Sequence, residues 1–301
     1  MSRSITKVIP LLFVWLWSTG FLGAKYGLPY IEPFFMLAVR FGAAIVIFYA
    51  ISLFIKKSGC KPKQALVQIL IGTLLHGTYL GGVFLAIKLQ IPAGLTAIIV
   101  GLQPILTSFI AWIWLQQKLN ILQLNGLILG FTGVGAVIID SRNFLAEPLN
   151  PLGIGACLLA LCGISLATVM QKKFAKDIPL LSGSMFQYVG AVLVVLPISF
   201  YFEQQSVIFN PALIGAMLWL IFGLSIAAVL LLMYMIREGE VARVTSYFYL
   251  VPPVAVFQAW WLFDEQFGYI TLLGGLCSVI GVYLVTKSTT VIRQQKISPS
   301  T

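Results

Sequence analysis

A few polar side chains interrupt otherwise apolar stretches, and they set the chemistry open to this chain. Arg40 lies seven residues into the apolar run that starts at Pro33, about 10 Å along a helix rising 1.5 Å per residue. A guanidinium at such depth costs at least ~2.5 kcal/mol on insertion-type scales, so it must face protein or water. It is either an anion contact on a substrate path or a structural cation bonded to carbonyls or reaching for the interface. His76 is the single histidine, and imidazole exchanges protons near neutrality. Tyr79 follows three residues later, on the same helical face. The pair reads as lining of a polar cavity; the bland alternative is a neutral ring bonded to a neighbouring helix. Thr96, Val100, Gln103 and Thr107 fall at helical spacing and form a polar stripe, with Thr245, Tyr249, Pro252 and Val256 as a second version of it. Gln103 precedes Pro104 and Pro252 precedes Pro253, so each helix loses a backbone hydrogen bond near its middle. Freed carbonyls are tolerated there where they meet protein or water. The two stripes read as paired walls of a substrate site, against the alternative of routine hydrogen bonding between helices. Trp17 sits midway along its own run, able to stack on a ligand or simply to pack.

Equally informative is the chemistry that is missing. No Asp or Glu lies deep in an apolar run, so a carboxylate proton relay has no candidate and His76 is the single group open to proton linkage. The chain has no GxxxxGK[ST] loop and no cluster with metal-ligand spacing. Cys60, Cys157, Cys162 and Cys277 show no paired spacing and read as small apolar residues. A Ser–His–acid hydrolase would need a carboxylate near His76, and none is supplied. No cofactor, no metal and no enzymatic activity are expected.

The elements that must carry these residues are membrane helices. The chain is 59% hydrophobic and 9% charged, where soluble domains carry about 25% charged residues. Apolar runs of about 20 residues, the length that spans a bilayer, recur throughout. Ten spans are expected, at 8–25, 33–55, 65–87, 92–115, 121–139, 151–170, 180–201, 211–236, 241–263 and 270–286. The stretch 91–140 recurs 148 residues later: Pro104 falls on Pro252, Ala111 on Ala259, Trp112 on Trp260, Gln117 on Glu265, Gly126 on Gly274 and Gly133 on Gly281. Upstream an offset of 149 fits better, pairing Lys88 with Arg237, Ala93 with Ala242 and Thr96 with Thr245. Each copy then holds five spans, over 1–140 and 141–301. An odd number of crossings inverts the second copy, the arrangement that places a site near the midplane between two halves. The expected fold is an all-α polytopic membrane protein of ten transmembrane helices in two inverted five-helix repeats.

Charge gives the expected orientation. Fifteen of the 19 basic residues fall on one side of these spans, and the opposite side keeps Lys25, Lys88 and Arg142. This bias puts both termini in the cytoplasm. It also accounts for the net charge of +10 without a nucleic-acid partner.

The chain resembles the drug/metabolite transporter superfamily, and within it the EamA-type permeases. The resemblance rests on Trp17-Ser18 with Lys25, on Pro33 through Arg40-Phe41, on Ala86-Ile87-Lys88, and on Pro104…Gln117…Gly126…Gly133 repeated as Pro252…Glu265…Gly274…Gly281. The family pattern has Glu at the end of the proline-bearing span; this sequence keeps it as Glu265 and has Gln117 in the first copy. The resemblance implies a central cavity lined from both halves, to which Trp17, His76, Tyr79, Gln103 and Tyr249 would belong. It implies transport of amino acids and related metabolites, often outward, and in some members of drugs.

The expected function is therefore alternating-access transport of a small polar or amphipathic metabolite, an amino acid or related compound, with the outward direction taken from the family resemblance rather than from any residue. The expected location is the inner cell membrane, in a lipid bilayer, with a small-molecule substrate; transport is expected to be either facilitated or coupled to the proton through His76 alone. The alternatives are a multidrug exporter, with a larger and more apolar cavity, and a channel or lipid scramblase, with flux that does not saturate.

Overall fold

The structure is a computed structural model and describes residues 5–54, 59–116, 121–144, 149–175, 178–231, 235 and 250–297. Its described helices are α1 (Ile5–Gly27), α2 (Pro33–Phe54), α3 (Pro62–Lys88), α4 (Ala93–Val100), α5 (Gln103–Leu115), α6 (Ile121–Phe144), α7 (Pro151–Phe174), α8 (Leu180–Phe202), α9 (Pro211–Leu231), α10 (Val251–Phe263) and α11 (Tyr269–Ile297). Prolines open α2, α3, α7 and α9, where the missing N–H has no intrahelical partner to lose. Asn150 and Asn210 cap α7 and α9 through their side-chain oxygens.

By length and apolar character six segments are able to cross a membrane: α2, α3, the α4–α5 pair, α7, α8 and α9; stretches of α6, α10 and α11 form shorter apolar helices. Large apolar side chains stand on the outside. Phe54, Tyr201, Phe202 and Tyr269 are each more than 80% exposed, far beyond what water tolerates over a contiguous surface. With the composition, this makes the chain a multi-pass membrane protein.

Prolines also stand at the start of α5 and α10. Gly101 and Leu102 form a turn between α4 and α5, and Pro104 occupies the second position of α5. Pro252 occupies the second position of α10. A Cβ on Gly101 would run into the Pro252 ring, so the two proline-bearing elements cross here. Their far ends also match. Gln116 and Asp264, 148 residues apart, both adopt left-handed backbone (φ 53° and 51°), and their N–H groups reach back to Ala111 and Ala259. The same turn is thus made twice, from residues that correspond in sequence.

α6 packs along α11 through glycines at backbone distance. A Cβ on Gly133 would strike the Gly274 carbonyl, and one on Gly281 would strike the Gly126 carbonyl. Moving forward on α6 means moving backward on α11, so the two helices run antiparallel. Small residues let membrane helices approach this closely, and van der Waals packing then holds them.

Polar contacts gather several connections at one end of the bundle. Glu203, after α8, accepts from the Phe34 and Phe35 N–H groups at the start of α2, both at 2.8 Å. The Ile208 N–H donates to the Tyr30 carbonyl. Lys88 Nζ donates to the Leu28 carbonyl at 3.1 Å.

Candidate functional site

Arg40 is buried, 4% exposed, on the inward face of α2. Its Nε donates to Ser225 Oγ of α9 at 3.0 Å, and the Tyr79 and Tyr188 hydroxyls lie within electrostatic reach. Among the described residues the ion pair found is Lys25–Glu265, so no carboxylate there neutralises Arg40.

His76 reaches the same spot because of a local backbone event. Thr73–Thr78 of α3 is wound as π-helix, and so is Trp219–Ala228 of α9. The extra residue per turn rotates the side chains that follow, and such bulges recur at functional sites. The Thr78 hydroxyl donates to the Thr73 carbonyl at 3.0 Å, supplying a partner within the widened turn. At the 149-residue offset His76 corresponds to Ser225. The two π segments thus present equivalent positions, one imidazole and one hydroxyl, on either side of Arg40.

Close approach of α3 and α8 completes the wall. A Cβ on Gly72 would overlap the Gln187 backbone, and one on Gly190 would overlap that of Ile69. With both absent, the His76 ring lies over Tyr188 at 4.6 Å between centroids and 23° between planes. Phe41 flanks them both. Gln187, next to Tyr188 on α8, donates to Gln68 Oε1 at 2.6 Å and Gln171 Oε1 at 3.1 Å. A polar thread therefore links α8 to α3 and α7, beside the stacked His76–Tyr188 pair.

Trp17, Arg40, His76, Tyr79, Tyr188 and Leu224 line a cavity of about 80 Å³. A larger cavity, about 770 Å³, lies between α10 and α11, but its lining holds no ionisable side chain. The smaller one is the candidate site, because charge and hydrogen bonding converge there.

Four of the residues singled out in the sequence thus meet: Trp17, Arg40, His76 and Tyr79. Thr96 and Gln103 stand apart. Thr96 is fully buried, donates to the Pro92 carbonyl at 3.0 Å and meets Cys157 of α7. Gln103 donates to Thr168 of α7 at 3.0 Å, and Ser165 donates to its carbonyl at 3.4 Å. Thr245 and Tyr249 lie outside the described residues. Sequence reasoning passed over Tyr188, Gln187 and Ser225. Gln187-Tyr188, a polar pair inside an apolar run, was the available signal.

At the clasped end, Glu265 has a 7% exposed side chain. It accepts from Lys25 Nζ at 2.6 Å and from the Ala93 and Gly94 N–H groups at 2.9 and 3.0 Å. Those N–H groups open α4, where unpaired donors and the helix dipole favour an anion. Lys25 also lies over the Phe263 ring at 4.4 Å. One carboxylate thus ties α1, α4 and the α10–α11 connection together.

The sequence profile of the EamA-like transporter family matches the chain twice, over residues 7–139 and 151–287. The chain belongs to the EamA-like transporter family. It is similar to the uncharacterized transporter YvbV of Bacillus subtilis, 25% identical over 96% of this chain and 94% of that one. It is likewise similar to the uncharacterized inner membrane transporter YedA of Escherichia coli K12, 26% identical over 90% of this chain and 87% of that one. A solved crystal structure superposes with a TM-score of 0.65 at 18% identity, covering 97% of this chain and 99% of its own. That likeness extends the fold over nearly the whole length. As a family member, the chain is a membrane transporter.

Proposed function

We propose that this transporter carries a small amphipathic metabolite with an anionic group, an amino acid or related carboxylate, outward across the inner membrane by alternating access. The observation that carries the reading is Arg40: a buried cation with no carboxylate partner among the described residues, on the wall of a cavity it shares with His76, Tyr79 and Trp17. An unpaired buried charge is strongly unfavourable, and a substrate carboxylate would compensate it through charge-assisted hydrogen bonds. His76 and Tyr79 would bond the substrate's polar groups, Trp17 and Tyr188 would hold its apolar part, and His76 would supply proton linkage.

Alternating access asks for two halves related by inversion. We read residues 1–140 and 141–301 as inverted five-helix repeats, ten spans in all, with both termini cytoplasmic. The antiparallel glycine contacts support this reading: Gly133 meets Gly274 while Gly126 meets Gly281, the reciprocal exchange that a two-fold axis between copies produces. At about 80 Å³ the cavity is well below the ~300 Å³ at which drug-sized sites begin, which favours a small substrate over bulky drugs.

Counterflow in proteoliposomes with an amino-acid panel tests the proposal. Saturable exchange of one carboxylate substrate, its pH dependence lost in His76→Ala, is expected. Flux that neither saturates nor exchanges would indicate a channel or scramblase. An unchanged rate and pH profile in His76→Ala would remove His76 from the mechanism.

A further inference from the structure

The large cavity between α10 and α11 has no part in the site above. It runs from Pro252 to Phe267 on one wall and from Thr271 to Val282 on the other. Pro252 marks the crossing with Gly101, and the 264–268 connection lies at the clasped end. The distance from Pro252 to the end of α10 is about 17 Å at 1.5 Å per residue, close to half the ~30 Å hydrocarbon thickness of a bilayer. The groove therefore spans one leaflet, from surface to midplane. Its lining is mostly apolar, with Thr271 and Ser278 on α11 and Gln266 in the connection at its mouth. It opens sideways, since Phe257, Trp260, Leu272 and Leu276 are each about half exposed.

The groove is open where two large side chains of the first copy, Ile105 and Leu127, have smaller counterparts in the second. At the 148-residue offset, Pro253 stands for Ile105, Gly275 for Leu127 and Ser278 for Gly130. In the first copy the Ile105 side chain sits where a Cβ on Gly130 would go, and Ile105 and Leu127 are both buried in one core cluster. In the second copy Pro253 is exposed, Gly275 has no side chain, and Ser278 turns its hydroxyl back to the Gly274 carbonyl at 2.8 Å. No knob fills the hole.

We propose that this groove binds one acyl chain of a bilayer lipid from the leaflet at the clasped end, seated against Gly275 with its terminus at the Gly101–Pro252 crossing. An apolar cleft open to hydrocarbon and one leaflet deep fits a single tail, and about 770 Å³ is ample for one at the usual scale of ligand sites. A bound tail would touch Ile98, Gly101 and Pro252, where the two proline-bearing elements meet. The proposal is independent of the reading of the Arg40 cavity.

The test uses the full chain in liposomes containing a phospholipid with a photoactivatable diazirine in its acyl tail, with adducts mapped by peptide mass spectrometry. Adducts are expected on Val256, Gly275 and Val279, in excess over those on the lipid-facing residues Leu193 and Phe200. Gly275→Leu restores the first copy's side chain. The nearest atom to a Cβ there is Ile98 Cδ1 at 3.7 Å, an ordinary contact, so the variant is expected to fold. It should lower groove labelling about tenfold, the loss expected when about two methylenes of burial are denied to the tail, and leave Leu193 and Phe200 unchanged. Pro253→Ile is the second filling variant, should Gly275→Leu prove unstable. Groove labelling no higher than on Leu193 and Phe200, or unchanged by filling, would overturn the proposal.

Discussion

Replacing Arg40 by Gln separates a substrate-binding cation from a structural one. In the free protein the side chain is 4% exposed and its Nε–Ser225 bond is 3.0 Å long. Losing that bond, made by a charged donor, costs ~1.5–3 kcal/mol. Removing an arginine from mid-membrane relieves at least ~2.5 kcal/mol on insertion-type scales. The relief and the loss are of equal size, so Arg40→Gln is expected to melt at about the same temperature as the parent. Transport should move the other way. A carboxylate held by the guanidinium loses hydrogen bonds to a charged group worth ~1.5–3 kcal/mol, which is roughly 10- to 150-fold in apparent affinity. The assay is counterflow with matched substrates, a carboxylate and its amide, alongside thermal melts of the same preparations. Arg40→Gln should weaken the carboxylate by that factor and leave the amide nearly untouched. Arg40→Lys should fall between, keeping the charge without the planar fork. A lowered melting temperature with equal loss for both substrates would refute the reasoning and make Arg40 a structural cation.

Three further outcomes follow from the geometry. Glu265→Gln and Lys25→Met should each loosen the clasp, with a coupling of about 1 kcal/mol in a double-mutant cycle of melting, modest because the Lys25 side chain is 32% exposed; additive effects would show that the pair does not act as a unit. Gly133→Ala should destabilise by roughly 1–3 kcal/mol, because its Cβ would lie 2.5 Å from the Gly274 carbonyl, whereas Gly135→Ala should be silent with nothing within 4 Å; melts of the two variants decide it. Gln187→Leu should lower stability by about 1 kcal/mol, in the range of buried membrane hydrogen bonds, since Gln68 and Gln171 would both lose the donor they share; an unchanged melt would mean that the network contributes nothing.

The sequence alone established the membrane setting, the all-helical character of the chain and the prolines that open α5 and α10. These are local matters: a run of apolar residues must be long enough to cross hydrocarbon, and proline removes a donor wherever it falls. The internal similarity was legible for the same reason, and Gln116 and Asp264, which it pairs, share one backbone turn. The site was only half legible. A polar side chain inside an apolar run announces that it needs a partner, not whether that partner is protein or substrate. Thr96 and Gln103 find theirs on Pro92, Cys157 and Thr168, whereas Arg40 and His76 meet at a cavity. That difference depends on which helices become neighbours and on how the π turns rotate their faces. Tertiary packing alone brings Tyr188 over His76, Ser225 to Arg40 and Glu265 to Lys25, across more than 100 residues of chain in each case, because side chains that far apart share no local periodicity that could relate them.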